Sequence, residues 1–127
     1  MLTLSVLNNK EKTAELFEKS GIKQNESSLC MLATDGKTDY GYSLFDITKE
    51  RLIVRYIEPL NDLSLADGIL RSTLHVGCER FVINAFYNKE TIPEEFFQKL
   101  DFIKNKEEKS LNVDKLFMSC HACKGEG

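Results

Sequence analysis

Hydrophobic order is sharpest between Arg51 and Arg80. Leu52, Ile53, Val54, Tyr56 and Ile57 make a run that is apolar on both sides, which suits an interior strand better than an edge one. Pro59 ends the run, because proline has no N–H to give a ladder. Ala66, Ile69, Leu70, Thr73, Leu74 and Gly77 then recur at helical spacing, so one small or apolar stripe of a helix can lie flat on a sheet. Asp62 or Ser64 is the natural N-cap.

The rest of the chain reads as packing around this strand-turn-helix unit. Upstream, Leu2, Leu4 and Val6 alternate with Thr3 and Ser5, predicting a first strand. Asn8 or Asn9 caps a helix through about Lys19, with Leu16 and Phe17 inward and Gly21 as its stop. Leu29 to Ala33 and Tyr40 to Ile47 read as two strands joined by a hairpin turn at Thr34-Asp35-Gly36-Lys37.

Downstream, Phe81 to Phe86 reads as a short strand buried on both faces and parallel to the central one, the connection that a crossover helix makes. Thr91-x-x-Glu94 has the form of a capping box with Pro93 in the first helical turn, and Phe96, Phe97 and Leu100 form the inner edge of that helix. Phe102 to Val113 completes the domain as two short strands around a charged turn. The expected fold class is α/β (α+β), a mixed central sheet of about six strands flanked by about three helices. One domain over 1–115 is followed by a tail over 116–127.

Composition narrows the function classes. A chain of 127 residues has enough length for one real core. Its formal net charge is −3 with acidic and basic residues interspersed, which argues against nucleic acid as the partner. The opening MLTLSVL is too short for a signal-peptide core, and no segment has the length of a membrane span. The expectation is a cytoplasmic protein with reduced cysteines, no membrane and no nucleic acid.

The central unit resembles the GNAT family, the Gcn5-related N-acetyltransferases. There a strand ending in apolar-x-Pro leads into a turn of the form R/Q-x-x-G-x-G/A, whose amides hold the pyrophosphate of acetyl-CoA at a helix N-terminus. Ile57-Glu58-Pro59 matches the strand end, and Ile69-Leu70 matches the aliphatic pair inside the helix. In that register Ser64 and Ala66 take the places of the two small residues, the turn is one residue shorter, and Asp62 and Asp67 add negative charge. A second patch is similar to the family's Tyr-x-Lys-Leu-Gly-Phe, reading Phe97-Gln98-Lys99-Leu100-Asp101-Phe102. Phe97 replaces the tyrosine that often protonates the departing thiolate, and Asp101 replaces the glycine.

The resemblance implies transfer of an acetyl group from acetyl-CoA to an amine, on a small molecule or a peptide, and allows a homodimer. It implies cofactor contacts at Ile57, Leu63, Ser64, Leu65, Ala66 and Asp67. Glu58 lies near where the family places a carboxylate that deprotonates the amine, directly or through water. Tyr56 and Tyr87 are candidates to supply the hydroxyl that Phe97 lacks, each weighed against a half-buried structural tyrosine. Asn84 and Asn88 flank the family's asparagine position without matching it, and His75 sits beside the apolar stripe, as a surface histidine would. The family has a longer helical region after its first strand, so the part that often sets acceptor specificity is short here.

Cys120, His121 and Cys123 form the one metal-like or redox-like cluster of the sequence. A closed zinc site needs four ligands and no second pair occurs, so zinc is not expected, and two exposed thiols on a tail are the plainer account. Cys30 and Cys78 would contribute only if the fold or a dimer brought them close. Three functions therefore stay open: an acyl-CoA-dependent N-acyltransferase, a binding or regulatory module on the same fold without catalysis, and a metal- or thiol-dependent function of the tail.

Overall fold

The computed structural model describes residues 2–116. The elements run β1 (Thr3–Val6), α1 (Lys10–Ser20), β2 (Ser28–Thr34), β3 (Asp39–Ile47), β4 (Leu52–Glu58), α2 (Leu63–Glu79), β5 (Ala85–Tyr87), α3 (Glu94–Lys99), β6 (Ile103–Asn105) and β7 (Ser110–Leu111). They build one mixed sheet in the order β1-β2-β3-β4-β5-β7-β6, in which only β4 and β5 run parallel. The sheet has seven strands, the expected final pair among them, against about six expected in all.

Helices cover both faces. On one, α2 buries Ala66, Ile69, Leu70 and Leu74 against Ala33, Phe45, Val54 and Ile57, so the predicted stripe is the face that packs. On the other, Phe17 of α1 packs with Ile22, Cys30, Leu32, Tyr42 and Leu44. Each such side chain taken fully out of water is worth about 1.5–3 kcal/mol.

α1, α2 and α3 end in the same way. Gly21, Phe81 and Asp101 take left-handed backbone angles, φ 73, 62 and 59. The next amide in each case reaches five residues back: Ile22 to Phe17 O at 3.0 Å, Val82 to Gly77 O at 2.7 Å, and Phe102 to Phe97 O at 3.0 Å. This is the Schellman closure, in which the residue after the left-handed one is apolar and folds back onto the core. Ile22, Val82 and Phe102 are all buried. Asp101 therefore occupies a position whose backbone asks for glycine, which is the residue the GNAT pattern carries there.

The same closure corrects the expected strand at Phe81 to Phe86. Phe81 turns the chain out of α2 and is 91% exposed, and the strand forms only over Ala85–Tyr87. The capping box is corrected too. Pro93 is the N-cap of α3 and makes no side-chain cap bond, while the Thr91 hydroxyl donates to the carbonyl of Arg55 on β4.

Candidate functional site

The site is set by an irregularity in β4. Against β3, Leu44 pairs with Tyr56 and Phe45 with Val54, so Arg55 is an extra residue with no partner. A regular strand would put Val54 and Tyr56 on one face. The bulge instead leaves Val54 and Ile57 in the α2-side core and turns Tyr56 toward the α1 side. Arg55 is tied down on both accounts: its carbonyl accepts from Thr91, and its guanidinium reaches Lys23 O at 2.5 Å and Asp46 at 3.4 Å.

Past the bulge, the Tyr56 hydroxyl donates to Glu58 Oε1 at 2.8 Å. Tyr42 is the cross-strand partner of Glu58, its ring centroid lies 5.9 Å from that of Tyr56, and its hydroxyl is 2.6 Å from Ser20 Oγ at the end of α1. Burial, and then the hydrogen bond to Glu58, push the Tyr56 phenol up to about 12. Tyr42 is also raised, by burial first and by the Glu58 charge after that. Both phenols therefore stay protonated near neutral pH, one of them held on a half-buried carboxylate.

Sequence reasoning placed Tyr56 and Glu58 here but missed Tyr42 and Ser20. Alternation along Tyr40 to Ile47 puts Tyr42 on a face, but its pairing with Glu58 depends on the bulge, and no residue type announces that.

Tyr87 lies elsewhere. It pairs with Val54 on the α2 side, stacks on Phe97 at 4.6 Å between centroids, and donates to Glu94 Oε2 at 2.5 Å. Phe97 is fully buried, so the aromatic of the second motif is a core side chain here. His75 is exposed and 3.9 Å from Glu79, as expected of a surface histidine. Asn84 reaches Glu50 O at 3.4 Å, and Asn88 Oδ1 accepts from the Glu90 amide at 2.9 Å.

The turn expected to hold a pyrophosphate is already helical, since α2 begins at Leu63. Asp62 is the N-cap: its carboxylate accepts from Leu65 N at 3.2 Å and its carbonyl from Ala66 N at 2.9 Å. Asp67 lies a turn further in, where N–H groups bond back along the helix, and its carboxylate is held by Arg71 at 3.1 Å. Of the five residues Leu63 to Asp67, only Leu63 and Ser64 keep amides that an anion can use. Ile57 is buried under α2.

Cys30 and Cys78 pack on opposite sides of the sheet, and burial drives the Cys30 thiol up to about 12. Among the described residues no group of metal-ligating side chains converges. Cys120, His121 and Cys123 lie outside the described residues. Among the described residues no helix is long and apolar enough to cross a membrane.

No family model and no curated protein sequence matches the chain. Solved structures do. A ribosomal-protein-alanine N-acetyltransferase from Brucella melitensis biovar Abortus 2308 superposes with a TM-score of 0.58 at 11% identity, over 83% of this chain and 92% of that one. A GNAT-family acetyltransferase from Streptococcus pneumoniae TIGR4 gives 0.56 at 14% identity, over 81% and 88%. The chain has a GNAT-like fold, and this likeness at such identities speaks to the fold.

Proposed function

We propose that the protein is an N-acyltransferase that takes an acetyl group from acetyl-CoA and passes it to an amine, in the cytoplasm. The observation that carries the proposal is the Tyr56–Glu58 pair at the end of β4, 2.8 Å apart and one short turn from the N-terminus of α2. Glu58 spends one carboxylate oxygen on Tyr56 and keeps the other for an ammonium proton. Tyr56, held protonated, steadies the carboxylate and has a proton to give. Tyr42 and Ser20 fix the side of the site that α1 covers.

The donor, as co-substrate, would supply the acetyl group as a thioester. The residues present suit it only in part: the amides of Leu63 and Ser64 are open to a phosphate, whereas Asp62 sets a carboxylate beside them. That mismatch favours a second reading, a GNAT-fold module that binds without catalysis.

Isothermal titration of acetyl-CoA and of free CoA separates the two. Micromolar binding, lost when Ser64 is replaced by proline to remove its N–H, supports acyl transfer. Silence at millimolar concentration removes the donor, and with it the enzyme.

A further inference from the structure

The last turn of α2 brings two metal-ligating side chains together. His75 Nε2 lies 3.9 Å from Glu79 Oε2, four residues on along the same face, and among the described residues neither side chain has another hydrogen-bond or ion-pair partner. Both are exposed. An imidazole and a carboxylate one helical turn apart can share a metal ion, and two donors are half of a closed zinc site.

The other half is where the chain goes next. His75 and Glu79 line a groove of about 520 Å³ between β1 and the second half of α2, with Leu4, Met31 and Val76 as its apolar wall. Leu116 lines the same groove and packs partly against the core. It is also the last described residue, so the chain leaves the described structure in the groove that holds the pair. Phe117 and Met118 follow, of a character that the wall accepts, and then Ser119 and the Cys120-His121-Ala122-Cys123 motif. Four residues of chain reach up to about 14 Å, enough to carry Cys120 from Leu116 across a groove of this size. Cys30 takes no part, being buried in the α1-side core.

We propose that the tail folds back into this groove and that Cys120 and Cys123 close a tetrahedral zinc site with His75 and Glu79. The sequence counts only the C-x-x-C pair, and the fold supplies the second one, which has no C-x-x-C or H-x3-H form to announce it. Two thiolates, an imidazole and a carboxylate suit zinc and disfavour magnesium or calcium, which take oxygen ligands. On binding, each thiol passes its proton to solvent, no electron moves, and three ligand anions offset the double charge of the ion. Phe117 and Met118 cover an apolar wall that water would otherwise meet. The site lies at the end of α2 opposite the Leu63 and Ser64 amides, so it stands or falls apart from acyl transfer.

The test is metal content and cobalt spectroscopy on the full chain. Loaded with zinc and dialysed, the protein should hold one zinc per chain, with a Kd on the order of 1 nM. Cobalt in its place should show the visible bands of a tetrahedral thiolate site, and zinc should bleach them. Cys120→Ser, Cys123→Ser, His75→Ala and Glu79→Gln should each weaken zinc, the thiol and imidazole variants by about 100-fold or more. His75 and Glu79 are exposed, so their variants should fold as the native chain does without metal. Cys78→Ser removes the other thiol of α2 and should leave the affinity unchanged. Protein that holds no zinc overturns the proposal, as does loss of the metal in Cys78→Ser. Zinc retained in full by both His75→Ala and Glu79→Gln would leave the ion on the tail alone and overturns it too. A site that forms only in a dimer, with the tail of a second copy in the groove, is the remaining contrary result.

Discussion

The Tyr56 hydroxyl donates to Glu58 Oε1 at 2.8 Å, two residues along the same strand and on the same side as Tyr42. If this pair works the acceptor amine, its members are unequal. Glu58→Gln removes the proton acceptor and should lower kcat/KM for a responsive amine by on the order of 100-fold or more. Tyr56→Phe leaves the carboxylate and removes one hydrogen bond, so a loss of about tenfold is expected. A Glu58→Gln protein that retains full rate would place the chemistry elsewhere.

The raised phenol of Tyr56 has a pH signature. Its folded pKa of about 12 exceeds the ordinary 10.0, so the stability it contributes is complete below pH 10 and is lost as pH climbs from there through about 12. Ultraviolet titration near 295 nm should show a transition near that upper value that is missing in Tyr56→Phe, while Tyr42 and Tyr87, which burial also raises, still titrate late. In Glu58→Gln the late transition should move down yet stay above 10, because burial outranks the carboxylate as its cause.

Most of the fold was legible because hydrophobic period and end signals agree along this chain. The stripe from Ala66 to Gly77, the Asn9 cap and the Gly21 stop all stand where the sequence puts them. What escaped was conformational rather than compositional. Phe81 adopts a left-handed angle that its residue type disfavours, so an apolar FVINAF run reads as strand where the chain is turning. Thr91 satisfies the capping-box spacing and spends its hydroxyl on a neighbouring strand instead. The site was half legible: Glu58 and Tyr56 are named by position, but a one-residue bulge at Arg55 decides which face they share.

Asp62 offers a charge test that spares the helix. Asparagine caps nearly as well as aspartate, so Asp62→Asn should leave stability within about 0.5 kcal/mol while removing a negative charge beside the Leu63 and Ser64 amides. Acetyl-CoA should bind about 2–5-fold tighter, the worth of one charge at a helix end. An unchanged affinity by titration calorimetry would mean that the pyrophosphate does not sit at this end of α2.

Phe81 holds a left-handed backbone with its side chain 91% in solvent. Phe81→Gly removes a strain of about 1–2 kcal/mol and gives back part of it in chain entropy, for a net gain of roughly 1 kcal/mol. A thermal melt should rise by a few degrees. Gly77→Ala should do the reverse, because its Cβ would come within 2.7 Å of the carbonyl oxygen of Val82, the residue whose amide closes the same helix end.

Thr91 links stability to the site through the bulge. Its hydroxyl donates to the Arg55 carbonyl, the acceptor on the one β4 residue left without a β3 partner. Thr91→Val keeps the shape and deletes the donor, leaving a half-buried carbonyl unsatisfied at a cost of about 1–3 kcal/mol. If the bulge is what turns Tyr56 onto Glu58, loosening it should also release their hydrogen bond, and the Tyr56 ionisation should move down while staying above 10, as in Glu58→Gln, even though neither residue has been touched. Thr91→Ser restores the donor and should recover the high value. A Thr91→Val protein that is destabilised but whose Tyr56 ionisation does not move would show that the guanidinium of Arg55, bound to Asp46 and to the Lys23 carbonyl, holds the bulge unaided.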